Sequence, residues 1–424
     1  MECLGIMRPI VLTFVRYYLP GFRAGGPIRT IANMVEELGD EVEFRIVALD
    51  RDMGDASPYS GVKYGEWTPL GKAYIRHVLP STFGMSEVSK IARSTPHDVV
   101  YLNSLFCPRF TQQVLINRRL GQLPSRPVIL APRGEFSEGA LQLKRLKKQA
   151  FMRFARLFGL YDDLIWQASS EFEAADIHRA FPVGPQSSVG GRIVVTGHVS
   201  IASDLISGDY GTAEVEERPR GSSAGGPLRV CFLSRVSPKK NLDYALRVLA
   251  QVRAPVHFSI FGPAEDAAYW AHCQALIAAL PPHIAVTYEG AVEHTEVVAT
   301  LARQDLFLFP TRGENFGHVI HEALRACLPI LISDQTPWRQ LEEQGVGWDL
   351  PLADLDSFAR RIDEVAGWSA QEFGLARACA RALARRIADD PAIIEANRRL
   401  FLDAIQNSAC ESARAATVQG DKHV

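Results

Sequence analysis

Two acids eight residues apart, Glu314 and Glu322, stand in the stretch FLFPTRGENFGHVIHEALRACLPILIS. An apolar run ends at Pro310, and the polar loop TRGEN follows. The pattern predicts a helix from about Phe316 to Cys327, stopped by Pro329. Glu314 then lies in the loop, and Glu322 roughly a turn and a half into the helix. His318 and Glu322 are four residues apart and share a helix face. The unpaired amides of Phe316, Gly317 and His318 open that helix and suit a phosphate. Each acid also has a plainer reading. Glu314 could be a first-turn acid complementing the helix dipole, and Glu322 a solvated helix residue. Two acids, a glycine-opened helix and a strand end together favour a binding site.

A second stretch, LRVCFLSRVSPKKNLDYALRVL, runs a buried strand into Ser234-Arg235, a turn at Ser237-Pro238, and then Lys239-Lys240-Asn241 ahead of a helix. Arg235 and Lys240, five residues apart across the turn, can bracket a diphosphate. Arginine would bind it as a planar fork and lysine as a point charge. They could equally be two surface cations. In PGFRAGGPIRTIANMVEEL, Gly25 and Gly26 let backbone approach a ligand, and Pro27 suits a first helical turn. This is not the GxGxxG of a nicotinamide fold, and alone it is often a plain turn.

Residues 141–158 carry Lys144, Arg145, Lys147, Lys148, Arg153 and Arg156, with no acid before Asp162. Leu143, Leu146, Phe151, Phe154, Leu157 and Phe158 lie among them. Such a basic amphipathic stretch can lie on an anionic membrane. The alternative is a core-facing helix with a solvated basic face.

Residues of this kind need elements to hold them. Short β-branched or aromatic runs recur at 9–15, 44–50, 98–103, 127–132, 164–169 and 192–197. The gaps are too long for hairpins and fit helical crossovers, so a parallel sheet with helices on both faces is expected. Residues 207–227, rich in Gly, Ser, Pro and charge, read as a linker. The pattern restarts at 228–234, 256–262, 285–290, 306–310 and 329–333. The expected organisation is α/β: two tandem doubly wound domains facing a central cleft, at 1–205 and 228–385, joined by a linker at 206–227. A helix at 386–408 is a candidate to cross back to the first domain, and a flexible tail fills 409–424. Ligands of such sheets bind beyond the carboxyl ends of the strands, so the loops named above are where chemistry belongs.

Composition narrows the field. With 424 residues, the chain exceeds what one hydrophobic core usually serves. It is 47% apolar and 22% charged, the mix of a soluble globular protein. The net charge is −2, so there is no global attraction for nucleic acid, and none is expected as a partner. No apolar run reaches the roughly 18 residues of a membrane span. The N-terminus reads as a first core strand and not as a signal peptide, because Arg8 interrupts its apolar stretch. The seven cysteines are scattered and form no CxxC pair, which fits a reducing cytosol better than disulfides or zinc.

With these residues in place, the chain resembles the retaining nucleotide-sugar glycosyltransferases of family 4, which have the two-domain GT-B fold with Rossmann-like halves. The resemblance rests on ENFGHVIHE, from Glu314 to Glu322, on RVSPKK, with Arg235 and Lys240, and on the loop AGGP. It spans residues 9 to about 405. It implies that Arg235 and Lys240 hold the donor diphosphate and stabilise its charge as it leaves. It implies that Glu322 binds the ribose. Glu314, with the backbone of Asn315, Phe316, Gly317 and His318, would hold the sugar hydroxyls and phosphate. Gly262, Gly290 and Val292 would complete the donor site, the loop at 290–292 meeting the base through its backbone. Gly25, Gly26 and Arg133 would form the acceptor or phosphate loop of an acceptor-binding N-terminal domain. The chain departs from the family in three places. Arg133-Gly134 stands where many members have His-Gly, TGHVS at 196–200 stands for Pro-Asn-Gly, and Asn241 stands for a common Gly.

The implied reaction moves a sugar from a UDP- or GDP-sugar to a glycan or lipid-linked glycan acceptor, in surface polysaccharide synthesis. Its transition state resembles an oxocarbenium ion, with charge building on the diphosphate. Preorganised cations and helix amides stabilise that charge. No Asp-x-Asp or His cluster suggests a metal, so neither metal nor other cofactor is expected. With no obvious nucleophilic carboxylate, front-face attack is favoured, the leaving phosphate helping to deprotonate the acceptor. The expected location is cytoplasmic, with peripheral attachment at the inner membrane face through 141–158. The competing readings are an inactive sugar-nucleotide-binding subunit, a sugar-nucleotide epimerase, or a phosphorylase, for which no pyridoxal lysine is marked.

Overall fold

The computed structural model describes residues 8–137, 141, 145–181, 183–184, 188–189, 192–193, 195–206 and 226–420. The expected linker at 206–227 falls almost wholly outside these residues, as do Gln142, Leu143 and Lys144 of the basic stretch. The chain divides into two compact units, Met1–Ser207 with Pro391–Val424, and Gly208–Asp390.

The strands of the first unit are β1 (Ile10–Phe14), β2 (Glu43–Leu49), β3 (Thr68–Leu70), β4 (Ala73–Val78), β5 (Val99–Asn103), β6 (Val128–Ala131), β7 (Leu164–Ala168), β8 (Val183–Gly184), β9 (Ser188–Val189), β10 (Arg192–Ile193) and β11 (Val195–Ile201). Nine of them form one sheet in the order β3-β4-β2-β1-β5-β6-β7-β11-β8, and β9 and β10 pair separately. All the pairings of the large sheet are parallel except that of β3 with β4. The central strands read as continuous apolar runs because both of their faces are covered. One face packs Val88, Ile91, Phe110, Val114, Trp166 and Phe181. The other packs Ile28, Ile31, Met34, Val35 and Leu38, the helical stripe of Gly26–Leu38.

The C-terminal helix Pro391–Gly420 belongs to this unit. Leu400, Phe401 and Ala404 enter the second face's core, with the Phe401 ring edge-on to Phe44 at 5.8 Å. The helix starts after a break at residues 389–390 and runs through 409–420, where the sequence suggested a loose tail. Residues 421–424 lie outside the described set.

The second unit has a six-stranded, all-parallel sheet of β12 (Leu228–Leu233), β13 (Val256–Phe261), β14 (Ile284–Gly290), β15 (Leu306–Phe309), β16 (Ile330–Ser333) and β17 (Gly347–Leu350). Its order is β14-β13-β12-β15-β16-β17. The chain builds outward from β12 through β13 to β14, then returns to lay β15 on the other side of β12. That reversal is a topological switch point, where such sheets bind ligands. The mixed α/β, two-sheet architecture matches the expectation. The main strands missed were β4, AYIRHV, between β3 and β2, and the edge strand β17, GWDL, whose polar residues hide the apolar run. Among the described residues no helix is long and apolar enough to cross a membrane.

Candidate functional site

The switch point brings two loops side by side, Ser234–Asn241 after β12 and Pro310–Gly317 after β15. They are laced together. The Arg312 amide donates to the Lys239 carbonyl at 2.9 Å. The Thr311 hydroxyl donates to the same carbonyl at 3.2 Å. Asn241 Nδ2 donates to the Pro310 carbonyl at 2.8 Å, and Asn241 Oδ1 accepts from Arg312 Nε at 2.9 Å. Asn241 has φ 64°, the left-handed region that asparagine tolerates better than most residues. A glycine would satisfy the backbone there but would lose both side-chain bonds. A third segment supports the second loop. Ser333 Oγ donates to the Thr311 carbonyl at 2.5 Å, the Glu314 amide to the Gln335 carbonyl at 3.0 Å, and Trp338 Nε1 to the Phe316 carbonyl at 2.5 Å.

This scaffold joins Lys240 and Glu314. Lys240 Nζ donates to Glu314 Oε1, with the two side chains only 15% and 12% exposed. The ammonium also lies 5.4 Å from the centre of the Phe309 ring, a cation–π distance. Burial pulls the Lys240 ammonium below its usual range, helped by Lys239 and Arg235 and only partly opposed by Glu314. Burial pushes the Glu314 carboxyl up, but Lys240, Lys239 and Arg235 outweigh it and hold the group below the usual carboxylate range. Three cations thus surround one carboxylate. Arg235 is exposed, and among the described residues no ion pair or hydrogen bond holds its guanidinium. The excess positive charge suits an anion bearing more than one negative charge. Lys239 was not singled out from the sequence, because adjacent lysines look interchangeable until the turn orients them.

The helix His318–Arg325 follows, capped by Gly317. Gly317 has φ 83°, and a Cβ there would meet Ile320 Cδ1 at 2.9 Å. The left-handed cap makes this helix begin two residues later than the spacing predicted. Both side-chain amide atoms of Asn315 are buried without a hydrogen-bond partner, an arrangement that costs about 1–3 kcal/mol in a protein interior. The rings of Phe316 and His318 lie 4.9 Å apart. His321 turns away, its Nε2 3.1 Å from the Ala384 carbonyl, and burial draws its pKa down to about 4. Glu322 is largely buried, with Oε1 3.6 Å from His294 Nδ1. His294 opens the short turn His294–Glu296 beyond β14. No periodicity or motif marked it in the sequence.

Gly290 ends β14, and Val292 follows half-buried. Gly262 has a packing reason to be glycine. A Cβ at this residue would lie 2.0 Å from the Ser234 carbonyl oxygen, so the exit of β13 can press against the exit of β12. Its amide donates to the Gly290 carbonyl at 2.6 Å, and Tyr288 OH donates to its carbonyl at 3.0 Å. Among the described residues, no three His, Cys, Asp or Glu side chains gather as a metal would require.

In the first unit, Gly25 caps the helix Gly26–Leu38. The loop before it is held by the buried Asp52, whose Oδ2 accepts from the amides of Phe22 at 2.9 Å and Arg23 at 3.1 Å. Arg133 is placed differently from a ligand-facing residue. Its side chain is 7% exposed and pairs with Asp204, 4% exposed. It also donates to Tyr101 OH, and its Nε donates to Asn103 Oδ1 at 2.7 Å. Burial opposes its charge, yet Asp204, Tyr101 and Glu173 hold the guanidinium above its ordinary pKa. Asp204 is further bound by the Thr30 hydroxyl at 3.0 Å. The buried Tyr101 has its pKa pushed up to about 12, chiefly by burial. In TGHVS, Gly197 to Ser200 pair with β7 as part of β11, so this segment is sheet.

The basic stretch forms the helix Arg145–Leu157. Leu146, Phe154, Leu157 and Phe158 are all exposed, Leu146 by 82% and Leu157 by 75%. Lys147 and Arg153 are exposed beside them. Lys148 and Arg156 instead turn to the protein, over the rings of Phe106 and Phe181. The helix therefore shows both a core-facing and an apolar, basic solvent-facing surface.

Residues 214–367 match the family model described as glycosyl transferases group 1. The fold is that of solved GT-B glycosyltransferases. The crystal structure of Anabaena Alr3699/HepE in complex with UDP and glucose has 16% identity and a TM-score of 0.64, covering 93% of this chain and 99% of its own. WaaG, a glycosyltransferase involved in lipopolysaccharide biosynthesis, has 14% identity and a TM-score of 0.61, covering 92% of this chain and 98% of its own. The α,α-trehalose-6-phosphate synthase of Burkholderia multivorans has 13% identity and a TM-score of 0.62, covering 96% of this chain and 99% of its own. No curated protein sequence matches the chain. The domain match supports a glycosyltransferase, and the fold is one that glycosyltransferases share.

Proposed function

We propose that this chain is a retaining, family-4-type glycosyltransferase that moves a sugar from a UDP- or GDP-sugar to a glycan or lipid-linked glycan in surface polysaccharide synthesis. The observation that carries it is the cluster of Arg235, Lys239 and Lys240 around Glu314 at the switch point. Arg235 and Lys240 grip the donor diphosphate and stabilise the charge that grows on it as the glycosidic bond breaks. The amides at the start of His318–Arg325 add partial positive charge. Glu322 takes the ribose. Glu314, released from Lys240 as the phosphate takes the ammonium, accepts from sugar hydroxyls, and Asn315 offers its carboxamide beside it. The UDP and UDP-glucose complexes of Alr3699/HepE support a uridine donor. Gly25 and Gly26 serve the acceptor. The buried network around Arg133 makes that residue a support for its loop.

Donor choice is tested by incubating the purified protein with UDP-, GDP-, ADP- and dTDP-sugars and following hydrolysis. Release of one nucleoside diphosphate above the others identifies the donor. Binding without turnover would favour an inactive sugar-nucleotide-binding subunit. The anomeric configuration of the first-formed sugar, read by NMR, tests retention.

The exposed Leu146, Phe154, Leu157 and Phe158 beside Lys147 and Arg153 support peripheral attachment to an anionic membrane. Each cation near such a surface contributes about 1 kcal/mol. Sedimentation with anionic liposomes at low salt, release at high salt and indifference to neutral liposomes are expected. Failure to sediment at low salt would make this face an ordinary solvated one.

A further inference from the structure

We propose that Lys239 is a third phosphate-binding cation of the donor site, and that it favours the departing nucleoside diphosphate over the intact nucleotide sugar. The inference deepens the donor-site reading above and rests on it. That reading gives the grip to Arg235 and Lys240 and leaves Lys239 without a task.

The main chain fixes where Lys239 stands. The Lys240 and Asn241 amides both donate to the Ser237 carbonyl, at 2.9 and 3.2 Å, which closes the turn that carries it. Its own carbonyl accepts from the Arg312 amide at 2.9 Å and the Thr311 hydroxyl at 3.2 Å, so the facing loop pins it from the other side. Its side chain is not spent on that structure. Lys239 is half-buried, yet among the described residues no ion pair or hydrogen bond holds its ammonium. Arg312, on the facing loop, is instead engaged by Asn241 Oδ1 at 2.9 Å and faces Asp243 Oδ2 at 3.8 Å. The Lys239 charge reaches the site. Burial raises the Glu314 carboxyl, Lys240 opposes it most, and Lys239 comes next among the cations, ahead of Arg235.

Charge then decides what the site prefers. The Lys240–Glu314 pair cancels within itself, which leaves the charges of Arg235 and Lys239 for a ligand. At pH 8 an intact nucleotide sugar carries about two negative charges on its diphosphate and the freed nucleoside diphosphate about three, since a terminal phosphate loses its second proton at about pH 6. The attraction of a fixed cation scales with the charge it meets. Removing one cation therefore costs the freed diphosphate more than the intact donor. A group that binds the developed charge more strongly than the starting charge lowers the barrier between them.

The test is calorimetric binding at pH 8 of UDP and UDP-glucose, and of GDP and GDP-glucose, to wild type and Lys239→Met. The substitution keeps the carbonyl bonds, so the melting temperature should stay near that of wild type. The affinity for the nucleoside diphosphate should fall about ten-fold, the scale of one hydrogen bond to a charged group. The affinity for the nucleotide sugar should fall only about three-fold, in keeping with its smaller charge. High salt should narrow both gaps, because a partly exposed cation is screened. Lys239→Gln is the second neutral variant should Met impair folding. Unchanged diphosphate affinity in both variants, equal losses for diphosphate and nucleotide sugar, or losses that high salt does not narrow would overturn the inference and leave Arg235 and Lys240 standing. A wild-type protein that binds none of the four nucleotides overturns the donor-site reading itself.

Discussion

Each unit holds a buried ion pair in or beside the loops that leave its parallel strands, and the two pairs are built to opposite ends. Arg133–Asp204 in the first unit is saturated. Tyr101, Asn103 and Thr30 also bond to it, and its side chains are 7% and 4% exposed. Lys240–Glu314 in the second unit is also largely buried, but two further cations press on its single carboxylate. Burial costs a charge several kcal/mol unless partners repay it. The first pair is repaid within the fold. The second has positive charge to spare, and an anionic ligand can use it. Burial of a pair therefore says little about function. What distinguishes the two is whether the donors and acceptors around the pair are all engaged.

The largest expected effect breaks the saturated pair. Arg133→Met leaves Asp204 as an uncompensated buried charge, which costs about 3–5 kcal/mol. The melting temperature should fall by several degrees, and the urea midpoint should fall with little change in slope. Donor hydrolysis per folded molecule should stay within a few-fold of wild type. A stable Arg133→Met protein that had lost turnover would make Arg133 a ligand residue after all.

The same surgery on the second pair should do the reverse. Lys240→Ala removes a cation that acts most strongly in the transition state, so kcat should fall at least about 100-fold. Arg235→Ala should cost a similar factor. The double variant should lose less than the product of the two, since both act on one group. The thermal cost of Lys240→Ala should itself be largely relieved by adding Glu314→Ala, while activity stays lost. Near wild-type turnover in Lys240→Ala would remove this site from the mechanism.

A smaller effect sharpens the division of labour within the second unit. Glu322→Ala should weaken free UDP or GDP about ten-fold, about 1.4 kcal/mol, the scale of hydrogen bonds to a charged group. Glu314→Ala should leave nucleoside diphosphate binding nearly intact and depress turnover. Equal losses of diphosphate affinity in both would show the roles are shared.

Much of this was legible in the sequence and some was not, for physical reasons. Buried parallel strands must be apolar on both faces, so LRVCFL and LFLF declared themselves, and with them the loops that follow. The acids Glu314 and Glu322 were visible because they bracket the glycine-capped start of one helix within eight residues of sequence. Arg133 could not be told from a ligand-facing arginine, because its partner lies 71 residues away. Lys240 and Glu314 were each singled out, but their pairing across 74 residues was not. Asn241 looked like a neutral replacement for glycine, and only the neighbouring loop shows what its amide holds. His294 carried no local signal. Its place beside Glu322 is set by a different element, the turn after β14.

The smallest expected effect sets two carboxylates against each other in pH. Glu173, in the first unit, is buried and accepts from the Gly134 amide at 2.6 Å and the Ser169 amide at 2.8 Å. Burial outweighs those bonds and raises its pKa. A raised folded-state value gives stability that is present below the unfolded pKa and is lost as pH rises through the folded one. Glu314 has its pKa lowered, because the cations outweigh burial. Its contribution is present above the unfolded value and is lost as pH falls through the folded one. The two windows therefore lie on opposite sides of the ordinary glutamate pKa of about 4.3. Melting curves of wild type, Glu173→Gln and Glu314→Gln between pH 3.5 and 7.5 should separate them. The advantage of wild type over Glu173→Gln should shrink as pH rises, and its advantage over Glu314→Gln should shrink as pH falls. Each kcal/mol should move the melting temperature by about 2–4 °C in a unit of this size, so the differences are small but their signs are opposite. Two curves of the same sign would mean that Glu314, like Glu173, is governed by burial, and that the cations around it do not form the electrostatic site drawn here.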